Sequence, residues 1–272
     1  RSAKSDKAKK ELETLNLDIH QKSARVKMLE DLEKNMDGYF GSVKAVMREA
    51  KRGTLKGIHG PVSQLISVPE VYAVAVETAL GASIQHIVTD NENDAKKAIY
   101  YLKDSREGRA TFLPLTAIKG RPFTEKGLEI CAGYVNVADR LVSSDKRYDA
   151  IISSLLSHTA VTDNLDNAIE MAKKYDNRFR IVTLDGQVIN AGGSMTGGSK
   201  GQGGGILSRA NEIEKLGAQA AKLQKEYEAK QGEFKLITEE LAAAQAQLSG
   251  AQADLANAQE EIIRREGELR MT

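Results

Sequence analysis

The first part of the chain repeats apolar residues at alternating spacings of three and four, the a and d pattern of a coiled coil. Lys22 and Glu33 fill two places of this row, and Gly38 and Gly41 end it. We therefore expect a coiled-coil arm over residues 1–37, followed by a junction helix over residues 38–56. The apolar members are Leu12, Leu15, Ile19, Val26, Leu29 and Met36.

The last part of the chain carries a longer row of the same kind, from Ile213 to Leu269, in which only Lys230 and Arg265 are polar. An ordinary amphipathic helix on a globular core would need a wider apolar stripe. At ~1.5 Å per residue this helix would exceed ~80 Å, so it needs a partner, and the first arm is the simplest one. We expect residues 207–272 to pair with the first arm as antiparallel helices, with the middle segment reversing the chain.

The middle segment mixes short β-branched runs with helical patterns, which predicts an α+β domain of mixed helices and strands. Strands are expected at 84–90, 109–115, 158–164 and 179–186, and helices at 71–81, 94–103 and 165–175.

Four letters of this segment occur twice. "VTDN" begins at Val88 and again at Val161, followed by an alanine at Ala95 and Ala168. Each copy sits between a strand and a helix, where Asp and Asn cap helices. We expect two related halves, 57–138 and 139–206. The alternative is that a common strand, cap and helix pattern occurs twice by chance.

Composition narrows the classes of protein. The 272 residues hold 39 basic and 38 acidic side chains, so any basic patch must be local. A single cysteine, Cys131, excludes an internal disulfide and fits a reducing compartment. No apolar run reaches the ~18 residues of a membrane span and no secretory signal opens the chain, so we expect a cytoplasmic protein without a membrane partner. Because the last residues lie within a helical pattern, we expect a piece of a longer protein.

Residues 191–208, "AGGSMTGGSKGQGGGILS", form the densest glycine run. A phosphate loop would need lysine directly after Gly198, but Lys200 comes one place late. The dinucleotide motif fails at Ile206, and a nucleophile elbow would need glycine in place of Thr196. We therefore expect no catalytic residue, metal or cofactor, and a flexible linker is the alternative to a functional run. Metal-ligand spacing is also missing from His20, His59, His86 and His158.

Residues 61–90, 108–115 and 182–199 resemble the hinge of SMC (structural maintenance of chromosomes) proteins, most closely the bacterial, condensin-related members that partition chromosomes. The resemblance covers most of residues 55–206. It implies a hinge that associates as a two-fold homodimer, arms that pair antiparallel within one chain, and DNA bound on or near the hinge. It also implies a nucleoid-associated protein whose ABC-type ATPase head lies outside this chain.

The resemblance assigns a candidate dimer interface as well. Strands that end in glycine can approach a partner chain edge to edge. We therefore expect a side chain at Gly193 or Gly197 to push two strands apart, and Met195 to fill the contact. The matching positions are Gly192, Gly193, Gly197 and Gly198 of the second half and Gly81 of the first.

Basic residues near the junction of arm and hinge are the candidates for DNA contact, because DNA affinity comes largely from phosphate contacts. No aromatic residues interleave with them, so we expect weak, salt-sensitive binding without sequence preference. A coiled-coil scaffold with an inserted dimerisation domain and no DNA binding stays an alternative, as does a small-molecule enzyme. The candidates are Lys51, Arg52, Lys56, Lys96, Lys97, Lys103, Arg106, Lys200 and Arg209.

Overall fold

The structure is a computed structural model that describes residues 2–199 and 205–271. The chain forms two compact units: residues 29–213, and residues 1–28 together with 214–272. All strands of the described residues belong to the first of these, which is called the α/β unit below. The second, called the helical unit, consists of parts of the first and last helices.

The α-helices are α1 (Ser2–Lys34), α2 (Gly41–Lys51), α3 (Val62–Leu65), α4 (Glu70–Leu80), α5 (Glu92–Ser105), α6 (Asp149–Leu156), α7 (Leu165–Lys174) and α8 (Ile206–Met271). The strands are β1 (Ile58–Pro61), β2 (Ile66–Ser67), β3 (Ile87–Thr89), β4 (Phe112–Pro114), β5 (Tyr134–Val137), β6 (Ser143–Ser144), β7 (Thr159–Thr162), β8 (Arg180–Thr183), β9 (Val188–Ile189) and β10 (Met195–Thr196).

A three-stranded sheet forms the first half of the α/β unit, in the order β1-β3-β4. Strand β1 is antiparallel to β3, and β3 is parallel to β4 with Val88 beside Leu113. Parallel neighbours need a crossover connection, and α5 provides it. Asn91 starts that helix by accepting a hydrogen bond from the main-chain N–H of Asp94 at 3.0 Å.

The second half repeats this arrangement closely. Strand β5 is antiparallel to β7 and β7 is parallel to β8, with α7 as the crossover. Asn164 caps α7 as Asn91 caps α5. Gly57 and Gly133 both have φ near +70°, at +69° and +68°, and each carbonyl accepts from the aspartate N–H of its "VTDN" copy at 2.9 Å. The same order of paired strands and crossover helix thus occurs twice, and a relation between the two halves stays a prediction.

The second half extends its sheet by a hairpin, which gives five strands in the order β10-β9-β8-β7-β5. A boundary at residue 139 would leave β5 in the first half, but β5 pairs with β7. By strand pairing the second half begins at Gly133, six residues earlier than the sequence pattern suggests. The glycine turn and the bulge opposite Thr162 mark that start.

The core of the α/β unit joins its halves through α4. The buried face of this helix, including Ala75 and Val76, packs in one cluster with Val161 and Val182 of the second sheet. A second cluster packs α2 against α5, and a third lies between α7 and the second sheet. Because α4 is apolar along nearly its whole length, burying it between the halves removes much apolar surface from water.

Several elements differ from the sequence prediction. Met36 was expected in the first heptad row, but α1 ends at Lys34, and Met36 has φ +51° and packs beside Tyr39 and Val43. Burial of its side chain in the core outweighs continuation of the helix. Within the strand expected at 84–90, only β3 is observed, because a 3₁₀ turn occupies Gly81–Gln85. The strand expected at 109–115 is likewise shorter, covering only β4.

In the helical unit, α1 and α8 run antiparallel, as predicted. Lys22 donates to the side-chain oxygen of Gln219 at 2.9 Å, and Lys230 pairs with Glu11 at 2.5 Å. The partner of Glu11 therefore lies later in α8 than the partner of Lys22, which is the order that antiparallel helices give. The apolar row members that face the pair are half-buried, among them Leu12, Leu15, Ile19, Leu223, Tyr227 and Phe234.

Candidate functional site

Strand β10 forms one edge of the five-stranded sheet. Among the described residues it pairs only with β9, with Met195 opposite Ile189 and Thr196 opposite Val188. The side chain of Met195 is 53% exposed. An edge strand with unpaired main-chain groups is a template for pairing with another chain. This strand, with the glycines on either side of it, is called the association edge below.

The turn before β10 requires glycine for its backbone. Gly192 has φ +86° and Gly193 has φ +91°, the left-handed region that L side chains disfavour. The N–H of Gly192 donates to the carbonyl of Asn177 at 2.8 Å, and the N–H of Gly193 donates to that of Asn190 at 2.9 Å. The turn is therefore tied both to β9 and to the loop after α7.

The segment after β10 is held by a side chain. The N–H of Gly198 donates to the amide oxygen of Gln187 at 2.9 Å, and the amide nitrogen of Gln187 donates to the carbonyl of Gly198 at 3.3 Å. A Cβ atom on Gly197 would overlap the same amide oxygen. Sequence reasoning missed Gln187, although its position two residues after Asp185 in a "DGQ" turn is the available signal.

Gly81 lies in a different place from the other four candidate glycines. It ends α4 with φ +51° and lines an open cleft of about 510 Å³ that those four glycines do not line. The first turn of α8 forms part of that cleft, and the carboxylate of Glu77 accepts there from the N–H groups of Ile206 and Leu207, each at 3.3 Å. The cleft is lined by Gly38, Glu77, Thr78, Gly81, Ile84, Gln85, Gly205, Ile206 and Arg209.

Arg180 of β8 joins the second half to the end of α4. Its guanidinium donates to the carbonyl of Ala79 at 2.8 Å and to that of Thr78 at 3.3 Å. A cation at a helix C-terminus is favourable, because the carbonyls there carry partial negative charge. Burial lowers the pKa of this arginine from its ordinary value. The sequence predicted only the strand at 179–186 that contains this arginine.

The basic candidates of α2 and α5 lie on two helices that pack together through the second core cluster. Lys51, Lys96 and Lys103 are exposed. Arg48 bonds the carboxylate of Glu107 at 3.2 Å, which places the C-terminal ends of the two helices next to each other. The structure thus brings the candidates of the arm junction and of the first half to one region.

The other basic candidates have defined contacts or positions. Arg52 pairs with Glu49 at 2.8 Å and Lys97 with Asp94 at 3.2 Å. Arg106 ends α5 with φ +56°, and its side chain is exposed. Lys56 is exposed beside Gly57, and Lys200 lies outside the described residues.

Two cations of this basic region have contacts that the sequence did not predict. Arg209 is half-buried and donates to the carbonyl of Asp37 at 3.0 Å, a contact within the α/β unit, and its role in DNA contact stays a prediction. The expectation that no aromatic side chain lies among the cations is wrong, because the ammonium of Lys96 lies 5.7 Å from the ring centre of Tyr100.

Other chemistry is sparse in the described part of the chain. Residues 2–199 and 205–271 contain no group of three or more His, Cys, Asp or Glu side chains that could hold a metal, and none of their helices is long and apolar enough to cross a membrane. His59 contacts Asp90 at 2.8 Å and the hydroxyl of Tyr148 at 2.9 Å, which links the two halves. Burial lowers the pKa of His86.

Residues 55–172 match the model of the SMC proteins flexible hinge domain. Among curated relatives, the chromosome partition protein Smc of Bacillus subtilis is 41% identical over 212 residues, covering 76% of this chain and 18% of that protein. The Smc protein of Desulfitobacterium hafniense is 39% identical over 228 residues, covering 81% of this chain and 19% of that protein. The chain thus spans less than a fifth of the length of these relatives.

Solved hinge structures have the same fold. An asymmetric dimer of the Geobacillus stearothermophilus SMC hinge domain matches with a TM-score of 0.74 and 38% identity, covering 89% of this chain and 98% of that one. The Pyrococcus furiosus Smc hinge domain with an extended coiled coil matches with a TM-score of 0.51 and 26% identity, covering 94% and 92%. The chain belongs to the SMC family, and its α/β unit is an SMC hinge.

Proposed function

We propose that this chain is the homodimerisation hinge of an SMC protein that organises and partitions chromosomes. Two copies associate about a two-fold axis, and each hinge joins two arms of one antiparallel coiled coil. The hinge carries no catalysis, and the ATPase head belongs to the remainder of a longer, nucleoid-associated cytoplasmic protein. We divide the chain into a first arm at 1–37, a junction at 38–56, the two hinge halves at 57–206 and a second arm at 207–272. The second hinge half begins at Gly133.

The association edge is the observation that supports self-association most. Among the described residues, one side of β10 has no neighbouring strand. The apolar side chain of Met195 is exposed on this strand. The related hinge of Geobacillus stearothermophilus crystallised as an asymmetric dimer. Pairing of an edge strand with a second copy would satisfy the free groups and cover that side chain.

Self-association is tested by the solution mass of the chain from about 1 to about 100 µM, measured by light scattering. The comparison is Gly193→Asp with Gly197→Asp in one chain, which buries carboxylates at the edge. We expect a dimer to become a monomer with unchanged helix content by circular dichroism. A wild-type monomer across the range would refute self-association, and a variant that stays dimeric would place the interface elsewhere.

Weak DNA binding without sequence preference is the second part of the proposal. It rests on the exposed cations that α2 and α5 bring together, Lys51, Lys96 and Lys103, of which Lys96 lies beside the ring of Tyr100. Phosphate contacts release counterions, so affinity for a short duplex should fall steeply between about 50 and about 200 mM salt.

The variant Lys51→Ala with Lys103→Ala should weaken binding of every duplex sequence alike and reduce the salt dependence by about one counterion per lysine. Lys119→Ala is a matched control, since this lysine is exposed on the loop that packs against α6 in the second half. Dimers without salt-dependent DNA affinity would instead support the alternative function, a coiled-coil scaffold with an inserted dimerisation domain.

A further inference from the structure

The hydrogen bonds between the association edge and the rest of the sheet continue past the end of β10, where the side chain of Gln187 makes them. Strand β10 stops at Thr196, yet Gly198 still both donates to and accepts from the sheet through the amide of Gln187. An antiparallel strand offers its neighbour the same pair, one N–H and one carbonyl oxygen. The Gln187 amide therefore stands in for a peptide group.

The orientation of this amide is set by the turn between β8 and β9. Its nitrogen donates to the carboxylate of Asp185 at 3.3 Å, and that carboxylate accepts from the hydroxyl of Thr183. The main-chain N–H of Gln187 donates to the same hydroxyl oxygen at 2.8 Å. With the amide nitrogen directed to Asp185 and Gly198, the amide oxygen is left to face the N–H of Gly198.

The glycines of the association edge are needed for two different reasons, backbone conformation and lack of space for a side chain. Gly192 and Gly198 have φ of +86° and +133°, and a Cβ on either would meet no atom within 4 Å, so their backbone conformation is the reason for glycine. Gly197 lies outside the positive φ range, but its Cβ would overlap the amide oxygen of Gln187. A side chain at residue 197 would displace that amide and break both bonds to Gly198.

We propose that Gln187 is the positioning residue of the association edge, and that residue 197 is glycine to leave room for its amide. The main chain at Gly197 and Gly198 is then held in line with β10 before a second copy arrives. This inference rests on the proposed self-association for its effect on dimers, while its contact within one chain stands independently.

A double-mutant cycle of Gln187→Ala and Gly197→Ala tests it, with dimer dissociation measured by sedimentation and folding by thermal unfolding. Both substitutions remove the same two hydrogen bonds. We expect each to weaken association about fivefold and the pair also about fivefold, where independent effects would give about twenty-five-fold. The unfolding temperature should show the same lack of additivity.

Hydrogen exchange adds a readout that a general loss of stability would not produce. The amide of Gly198 should lose protection in Gln187→Ala, while the main-chain amides that pair β8 with β9 keep theirs. Gly192→Ala is the control, because its cost comes from φ and should add to that of Gln187→Ala. Effects that add for residues 187 and 197, or a Gly198 amide whose protection is unchanged, would overturn the assignment.

The outcomes separate this inference from the proposed function. If the wild-type chain is a monomer, the proposed function fails, but the unfolding temperatures and the Gly198 exchange still decide the role of Gln187. If the chain is a dimer and the two substitutions act additively, self-association stands and the positioning role of Gln187 is wrong.

Discussion

The carboxylate of Glu77 accepts a hydrogen bond from the main-chain N–H of Leu207 at 3.3 Å, and the neighbouring N–H of Ile206 bonds it at the same distance. A side chain near the end of α4 therefore caps the first turn of α8. The free N–H groups at a helix start carry partial positive charge, so an anionic cap both satisfies and stabilises them. A Cβ at Gly205 would overlap this carboxylate, which explains glycine at that position.

Removal of this cap should loosen the start of α8. We expect Glu77→Ala to lower the free energy of unfolding by about 1 kcal/mol and to speed amide exchange at residues 206–209. Chemical denaturation and hydrogen exchange measure the two effects. Glu170→Ala removes the same charge from an exposed position on α7 and serves as the control. A loss of stability no larger than that of the control would contradict the capping role.

Arg180 should matter for the union of the two halves. We expect Arg180→Ala to lower the free energy of unfolding by about 2 kcal/mol, because it leaves the carbonyls of Thr78 and Ala79 without their charged donor. Denaturant titration measures this. Arg109→Ala is the matched comparison, since Arg109 precedes the corresponding strand of the first half but is exposed. Equal effects of the two substitutions would mean that the contacts to α4 contribute little.

The association edge can be tested at a residue that the chain does not need for its own fold. We expect Met195→Asp to weaken dimerisation at least about tenfold, because a carboxylate would replace an apolar side chain in the contact, and to leave the unfolding temperature nearly unchanged. Sedimentation gives the dissociation constant. Ile130→Asp is the control, because Ile130 is 75% exposed near β5 at the opposite edge of the sheet. Dimers that tolerate Met195→Asp but not Ile130→Asp would move the interface to that opposite edge.

The half-buried His86 should make the hinge less stable in mild acid. Burial lowers its pKa in the folded chain below the unfolded value of 6.5. The unfolded chain then binds a proton first as the pH falls, so stability is full above about pH 6.5 and decreases toward the folded pKa. Unfolding temperatures between about pH 7.5 and about pH 5 should show this slope, and His86→Gln should reduce it.

His20→Gln is the matched control for this pH dependence, because His20 is exposed on α1. Its slope should equal that of the unaltered chain. An acid slope that persists in full in His86→Gln would assign the effect to other groups.

Much of the fold follows from local pattern. The heptad rows predict two antiparallel helices, and the repeated "VTDN" predicts two related halves, because periodicity and helix caps act within a few residues. The family resemblance, carried by residues 61–90, 108–115 and 182–199, is confirmed as well. The glycines at residues 192–198 stay a prediction for the dimer interface.

Contacts between distant residues decided the rest. Only the strand order places β10 at an open edge and moves β5 into the second half. Met36 leaves its heptad row because core packing outweighs helix continuation, and Arg209 bonds the carbonyl of Asp37, which is 172 residues away in the chain. The role of Gln187 depends on a segment eleven residues away. Sequence periodicity reports what one element prefers, whereas these outcomes depend on which elements meet.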